Sequence, residues 1–277
     1  MVSKVLLKKE SRLAELVRSV SPVVVAFSGG VDSTYLAYIA NRELGDAAIC
    51  VTGISPSVSS EQRERSASIA EKHGFNRRIV ETQEIEDPRY SSNPVNRCYF
   101  CKKELYGTLE AIAREADGAT VFDGTNADDL SDHRPGRAAA KEHGVASPLA
   151  ELGFTKQDIR DLSRLHGLET WDIPASPCLS SRIPYGTPVT IGRLSRIDRG
   201  ESYLRDLGFR EFRVRSYGEK ARLEFSEPEL PKAVELESNP EFSARFLRIG
   251  FESVAVERIA FRSGSLNKEP GHSAPNR

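Results

Sequence analysis

Three cysteines stand where sulfur could do chemistry. Cys98 and Cys101 lie three residues apart in NRCYFCKKELYG, and Cys178 lies in SPCLSSR. Two thiols at the first spacing can hold one metal ion, and the helix expected to follow them favours their thiolates. A zinc site needs four ligands. The remaining candidates, Cys178, His73, His133, His143 and His166, form no second pair. Three cysteines without a fourth suit a 4Fe–4S cluster with one iron left open; a redox pair or two incidental cysteines is the alternative. Cys178 read alone could be a nucleophile, a ligand, a sulfur donor or filler. Cys50, inside the apolar AAICVTGI, reads as a small buried strand residue.

A second constellation is SGGVDST, residues 28–34, which follows the apolar run PVVVAF and opens a helical stretch. Backbone N–H groups and the positive end of a helix then face one small volume, which is an anion site. Ser28, Ser33 and Thr34 add hydroxyl donors, Gly29 and Gly30 allow close approach, and Asp32 could hold a phosphate-bound Mg2+. There is no GK[ST], so this is not a Walker A loop. The pattern resembles the PP-loop of the ATP pyrophosphatases, which cleave ATP to AMP and pyrophosphate. That resemblance implies adenylation of an oxygen that then leaves when ammonia or sulfur attacks. A plain strand-to-helix turn with capping serines is the bland alternative.

Basic and acidic residues make a third set. A period of two in EFRVRSY puts Arg213 and Arg215 on one strand face and Phe212 and Val214 on the other. With Ser181 and Arg182 they suit a phosphomonoester, although a solvated hairpin face is the default for such a pair alone. Glu201 falls within an apolar helical stripe and Glu257 interrupts the final apolar strand; each suits a domain or subunit interface or a cation site as well as a substrate site. Asp128 and Asp129, after the glycine turn DGT, lie beside the nucleotide or cap a helix.

The elements that must position these residues alternate. Helix 4–20 precedes the strand PVVVAF, and a helix runs to about Leu44. AAICVTGI, helix 60–74, RRIVET, the helix after CYFC to about Ala116, and ATVFDGT complete the series. This order predicts an α/β fold with a doubly wound parallel sheet, whose ligands sit at the carboxyl ends of its strands. After about 185 the rhythm changes. Helix 190–208, the hairpin EFRVRSY/KARLEF, a helix at 240–249 and the strand FESVAVERIAF predict a smaller α+β domain over 186–264, with a loose tail at 265–277.

Totals bound the function. A chain of 277 residues with formal net charge −1 can bury a sizeable core and lacks the basic excess of a long-nucleic-acid binder. No N-terminal signal region and no membrane-length apolar run are seen, so a cytoplasmic protein without membrane partners is expected.

The motifs AFSGGVDST, SPCLSSRIPYG, YLRDLGF, RVR and FRSG, in that order from about residue 20 to 264, resemble the LarE family. These are ATP-dependent sulfur transferases of nickel-pincer cofactor biosynthesis, serving lactate racemase. The resemblance implies ATP and Mg2+ as cofactors and a pyridinium-dicarboxylate mononucleotide as substrate. Each carboxylate is adenylated and converted to a thiocarboxylate. It places the substrate phosphate on Ser181, Arg182, Arg213 and Arg215, with Glu201 and Glu257 near that site. Some members sacrifice the sulfur of one cysteine, matching Cys178. Others hold a 4Fe–4S cluster on three cysteines, and Cys98, Cys101 and Cys178 imply that type here. A homo-oligomer, a sulfur source and a downstream nickel-insertion enzyme are the implied partners. A tRNA thiolase, an amidating synthetase of the NAD or GMP type, and a nucleotide-binding module with structural zinc are the competing readings.

Overall fold

The computed structural model describes residues 3–130 and 135–261. The expected tail 265–277, the end of FRSG and His133 lie outside the described residues. By their contacts the residues form two compact units: one up to Tyr90 together with Asn96–Ser176, the other Ser91–Val95 together with Pro177 onward.

The first unit contains α1 (Lys4–Ser19), β1 (Val23–Ala26), α2 (Val31–Leu44), β2 (Ala48–Ile54), α3 (Ser60–His73) and β3 (Asn76–Glu81). The short α4 (Pro88–Ser91) ends at the unit boundary; α5 (Arg97–Glu115), β4 (Thr120–Phe122), α6 (Gly136–Glu142), α7 (Pro148–Glu151) and α8 (Lys156–Leu165) follow. The four strands form one parallel sheet in the order β3-β2-β1-β4. Alternate side chains feed opposite cores, as the pleat requires. Val23, Val25, Cys50 and Phe122 join α1, α2 and α8 on one face; Val24, Ile49, Val51 and Val121 join α5 and α6 on the other. β1, β2 and β4 are therefore covered on both faces, the condition under which a parallel sheet is stable, whereas the edge strand β3 is largely exposed.

The second unit holds α9 (Ile191–Asp206), β5 (Phe212–Tyr217), β6 (Lys220–Phe225), α10 (Leu230–Glu237), α11 (Pro240–Ile249) and β7 (Ser253–Val256). The sheet order is β5-β6-β7, with an antiparallel hairpin and a parallel third strand. Gly200 lets α9 lie close, since a Cβ there would stand 3.1 Å from Phe246 and 3.3 Å from Val214.

Most expected elements are present within a residue or two. α5 begins at Arg97, so CYFC forms its first turn instead of preceding it. The last strand stops at Val256, well short of the expected 261, because the alternation of FESVAVERIAF fails at Glu257 and Arg258. α6, α7, α8 and α10 were not expected; α6 is a short alanine-rich turn of helix without a side-chain cap.

Candidate functional site

The loop between β1 and α2 lies at the carboxyl edge of the parallel sheet. Gly29 has φ +70°, and a Cβ there would meet the Ser66 Cα at 2.9 Å, so backbone from α3 closes against the loop and only glycine fits. Gly30 caps α2 without a side chain, which leaves the first N–H groups of that helix facing the loop's concavity. Ser33 Oγ accepts from the Ser28 N–H at 3.2 Å and lies 3.0 Å from Ser28 Oγ. Thr34 Oγ1 is buried and has no hydrogen-bond partner among the described residues. From the next strand end, Gly124 presses on α2, where a Cβ would stand 3.0 Å from the Ser33 nitrogen. The two glycine turns thus meet at one helix start.

Two residues that sequence reasoning passed over complete this region. Lys156 Nζ donates to Asp32 Oδ2 at 2.6 Å, and Asn126 Nδ2 reaches Asp32 Oδ1 at 3.3 Å. The Asp32 carboxylate therefore holds the Lys156 ammonium and the Asn126 amide, one on each oxygen. Asn126 Oδ1 accepts from the N–H groups of Asp128 and Asp129, and Asp128 Oδ2 accepts from the Lys156 N–H at 2.8 Å. Asp128 therefore works on backbone at the start of α8. The signals for Lys156 were local: Thr155 and Asp158 form a capping box that makes Lys156 the first residue of α8. Buried Asp123 anchors the same turn through Tyr106, Thr125 and Ser147. Burial and the Asp123 carboxylate push the Tyr106 phenol well above its ordinary range, so it stays a donor. From α3, Arg65 Nε donates to the Gly29 carbonyl at 3.1 Å.

Cys98 is exposed and Cys101 half-buried; both lie in the first turn of α5 at i and i+3, on one helix face. Cys178, half-buried, precedes a 3₁₀ turn at Leu179–Arg182 in the second unit. Cys50 is buried in the sheet, and desolvation pushes its thiol up to about 12. It is filler, and the other three carry the accessible sulfur. Among the described residues no group of three or more His, Cys, Asp or Glu side chains is placed to hold a metal ion. The pair Cys98 and Cys101 fits two positions of a thiolate-ligated cluster in donor type and spacing.

In the second unit the arginine face of β5 is buried rather than solvated: Arg213 is 8% and Arg215 1% exposed. Arg215 Nη1 donates to the Ser181 carbonyl at 2.8 Å, and its Nη2 meets Glu224 Oε2 at 2.9 Å. Arg182 is paired with buried Glu201, Nε to Oε1 at 2.8 Å and Nη2 to Oε2 at 3.2 Å. Arg213 differs. Its guanidinium lies 4.6 Å from the centroid of Phe261 and has no hydrogen-bond or ion-pair partner among the described residues. Burial and the neighbouring charges of Arg182 and Arg215 bring it down to about 10. An uncompensated buried cation is costly, and an anion is what offsets it. Ser181, Arg182, Arg213 and Arg215 are thus brought together as expected, with Glu201 among them. Glu257 instead meets Arg222 Nε at 2.5 Å on a more exposed part of the sheet.

Comparison with known proteins gives the following similarities. The asparagine synthase family matches residues 10–96. An uncharacterized protein of Synechocystis is 43% identical over 260 residues, covering 94% of this chain and 97% of its own. The pyridinium-3,5-bisthiocarboxylic acid mononucleotide synthase of Lactiplantibacillus plantarum is 35% identical over 260 residues, 94% of each chain. A component of the glutamine-hydrolyzing GMP synthase of Methanopyrus kandleri is 28% identical over 57% of this chain and 54% of its own. Similarity across nearly the whole length, together with the PP-loop, places the chain in the family of the pyridinium-3,5-bisthiocarboxylic acid mononucleotide synthase, as an ATP-dependent adenylating enzyme.

Proposed function

We propose that this protein is an ATP-dependent sulfur transferase that converts the carboxylates of a pyridinium-3,5-dicarboxylate mononucleotide to thiocarboxylates. The observation that carries the reading is Arg213: buried, charged and without a hydrogen-bonding partner among the described residues, beside Arg215 and Ser181. Such a cation fits the phosphate of a mononucleotide.

The loop at 28–34 binds the ATP phosphates through backbone N–H groups of α2 and the hydroxyls of Ser28, Ser33 and Thr34. A substrate carboxylate oxygen attacks the α-phosphorus, the bond to the β-phosphate oxygen breaks, and pyrophosphate leaves. Negative charge builds on the departing oxygens, and Lys156, held nearby on Asp32, is the cation placed to meet it. A sulfur nucleophile then attacks the acyl carbon of the adenylate, and AMP departs with the original carboxylate oxygen. Two such rounds, one on each carboxylate, give the bis-thiocarboxylate. Cys98, Cys101 and Cys178 would hold a 4Fe–4S cluster, which when bound would supply the transferable sulfide; Cys178 as the donor is the other source.

Incubation of anaerobically purified protein with ATP, Mg2+ and the mononucleotide tests the reading. Pyrophosphate and AMP release with a mass gain of sulfur for oxygen supports it. Pyrophosphate release that needs ammonia instead of sulfide, or a requirement for tRNA, overturns it. Near-equal iron and acid-labile sulfide that vanish in Cys98→Ser support the cluster, while stoichiometric zinc in a colourless protein excludes it.

A further inference from the structure

The three arginines of the second unit are not equivalent. Every nitrogen of the Arg182 guanidinium already donates: Nε and Nη2 to the Glu201 carboxylate, and Nη1 to the Pro177 carbonyl at 2.9 Å and Ser181 Oγ at 2.8 Å. The same Nη1 lies 3.5 Å from the Cys178 carbonyl, which also accepts the Ser181 N–H at 2.9 Å. Glu201 is fixed in turn, since its Oε1 accepts the Val214 N–H at 3.2 Å from β5. Arg182 and Glu201 are 4% and 2% exposed. The bonds to Glu201, Pro177 and Ser181 occupy four of the five N–H groups of Arg182, leaving at most one Nη2 N–H for a ligand, and they grip the backbone beside Cys178.

We infer that Arg182 and Glu201 are positioning residues that hold the Cys178 turn, a role separate from the anion contact proposed above for Arg213. The chain of bonds runs from strand β5 through Glu201 and Arg182 to the Pro177 and Cys178 carbonyls, so a rigid sheet sets where the Cys178 sulfur points. Whether that sulfur ligates a cluster or attacks an adenylate, its placement within a fraction of an ångström governs transfer. Burial opposes the charge on Arg182, and the Glu201 carboxylate more than offsets it, so the guanidinium stays protonated. Arg213 has no such direct partner among the described residues; the Glu224 and Glu201 carboxylates favour its charge only through space, against burial and the charges of Arg182 and Arg215. This inference rests on the sulfur-transfer reading for its purpose, though not for its geometry.

The test separates the two roles in iron-free, full-length protein. Iodoacetamide labelling of Cys178 is followed by peptide-resolved mass spectrometry, and binding of nicotinate mononucleotide by calorimetry, in wild type, Arg182→Lys, Glu201→Gln and Arg213→Gln. Glu201→Gln preserves shape and Arg182→Lys preserves charge, and hydrogen exchange across 177–183 reports the turn directly. In both variants Cys178 labelling and exchange should rise about tenfold or more, the scale of a lost charge-assisted bond, while nucleotide affinity stays near that of wild type. Arg213→Gln should do the reverse. Loss of nucleotide affinity in Arg182→Lys with wild-type labelling of Cys178 overturns the assignment. If wild type binds no mononucleotide, the sulfur-transfer reading fails, and the labelling arm still decides the positioning role by itself.

Discussion

At the scale of single residues, Arg213 sets function against stability. Its charge is needed for an anion and is disfavoured by its surroundings, which bring it to about 10 from an ordinary 12.5. Only the protonated form attracts phosphate, so mononucleotide affinity should hold below that value and fall as pH rises through about 10, where an ordinary arginine remains charged. Calorimetry between pH 8 and 11 checks this. Arg213→Met should abolish mononucleotide binding while raising thermal stability by roughly 1 kcal/mol, since an uncompensated buried charge is removed; a thermal melt reads the sign. Gly29 is a second critical residue. Gly29→Ala combines φ +70° with a Cβ 2.9 Å from the Ser66 Cα, so ATP binding should be lost and stability lowered by about 1–3 kcal/mol. The glycines and serines of the loop, and the cluster of Ser181, Arg182, Arg213 and Arg215, were legible as residue types at a spacing. Lys156, Asn126 and Arg65 were not, because each acts on the loop from a helix or turn distant in sequence.

At the scale of elements, helix starts carry most of the candidate chemistry. α2 presents its N–H groups to the loop because Gly30 leaves them uncapped, whereas α8 is closed by the Thr155 and Asp158 box. Thr155→Ala should cost about 1 kcal/mol through the lost cap, and it should also raise the KM for ATP, because Lys156 opens that helix. Steady-state pyrophosphate release at varied ATP measures both effects beside a melt. Element identity was readable wherever a period was long and clean, as in α1, β2, α9 and α11. Exposure and exact helix starts were less readable than element identity. The arginine face of β5 reads as a solvated stripe by alternation, yet its residues 212–216 are all buried. In CYFC the helix starts one residue before the first cysteine, which turns a loop pair into two thiols on one helical face.

At the scale of the whole molecule, two compact units each carry one of the proposed anion sites: the nucleotide loop in one, the arginine cluster in the other. Saturating ATP at about 100 times its Kd should stabilise the folded nucleotide unit by about 2.7 kcal/mol. Differential scanning calorimetry should show a rise of several degrees in the transition of the unit carrying residues 28–34, absent in Gly29→Ala. Among the described residues no helix is long and apolar enough to cross a membrane.

By itself the sequence determined the strand–helix alternation, the phosphate loop and the inventory of sulfur and cationic groups, because these depend on residue type and on periods of a few residues. Tertiary structure alone decided the partners. It put Lys156 on Asp32, it buried Glu201 against Arg182, and it left Arg213 without a directly bonded carboxylate among the described residues. Those outcomes depend on groups separated by 19 to 124 positions in the chain, distances over which periodicity carries no information and only the packing of the sheets and helices does.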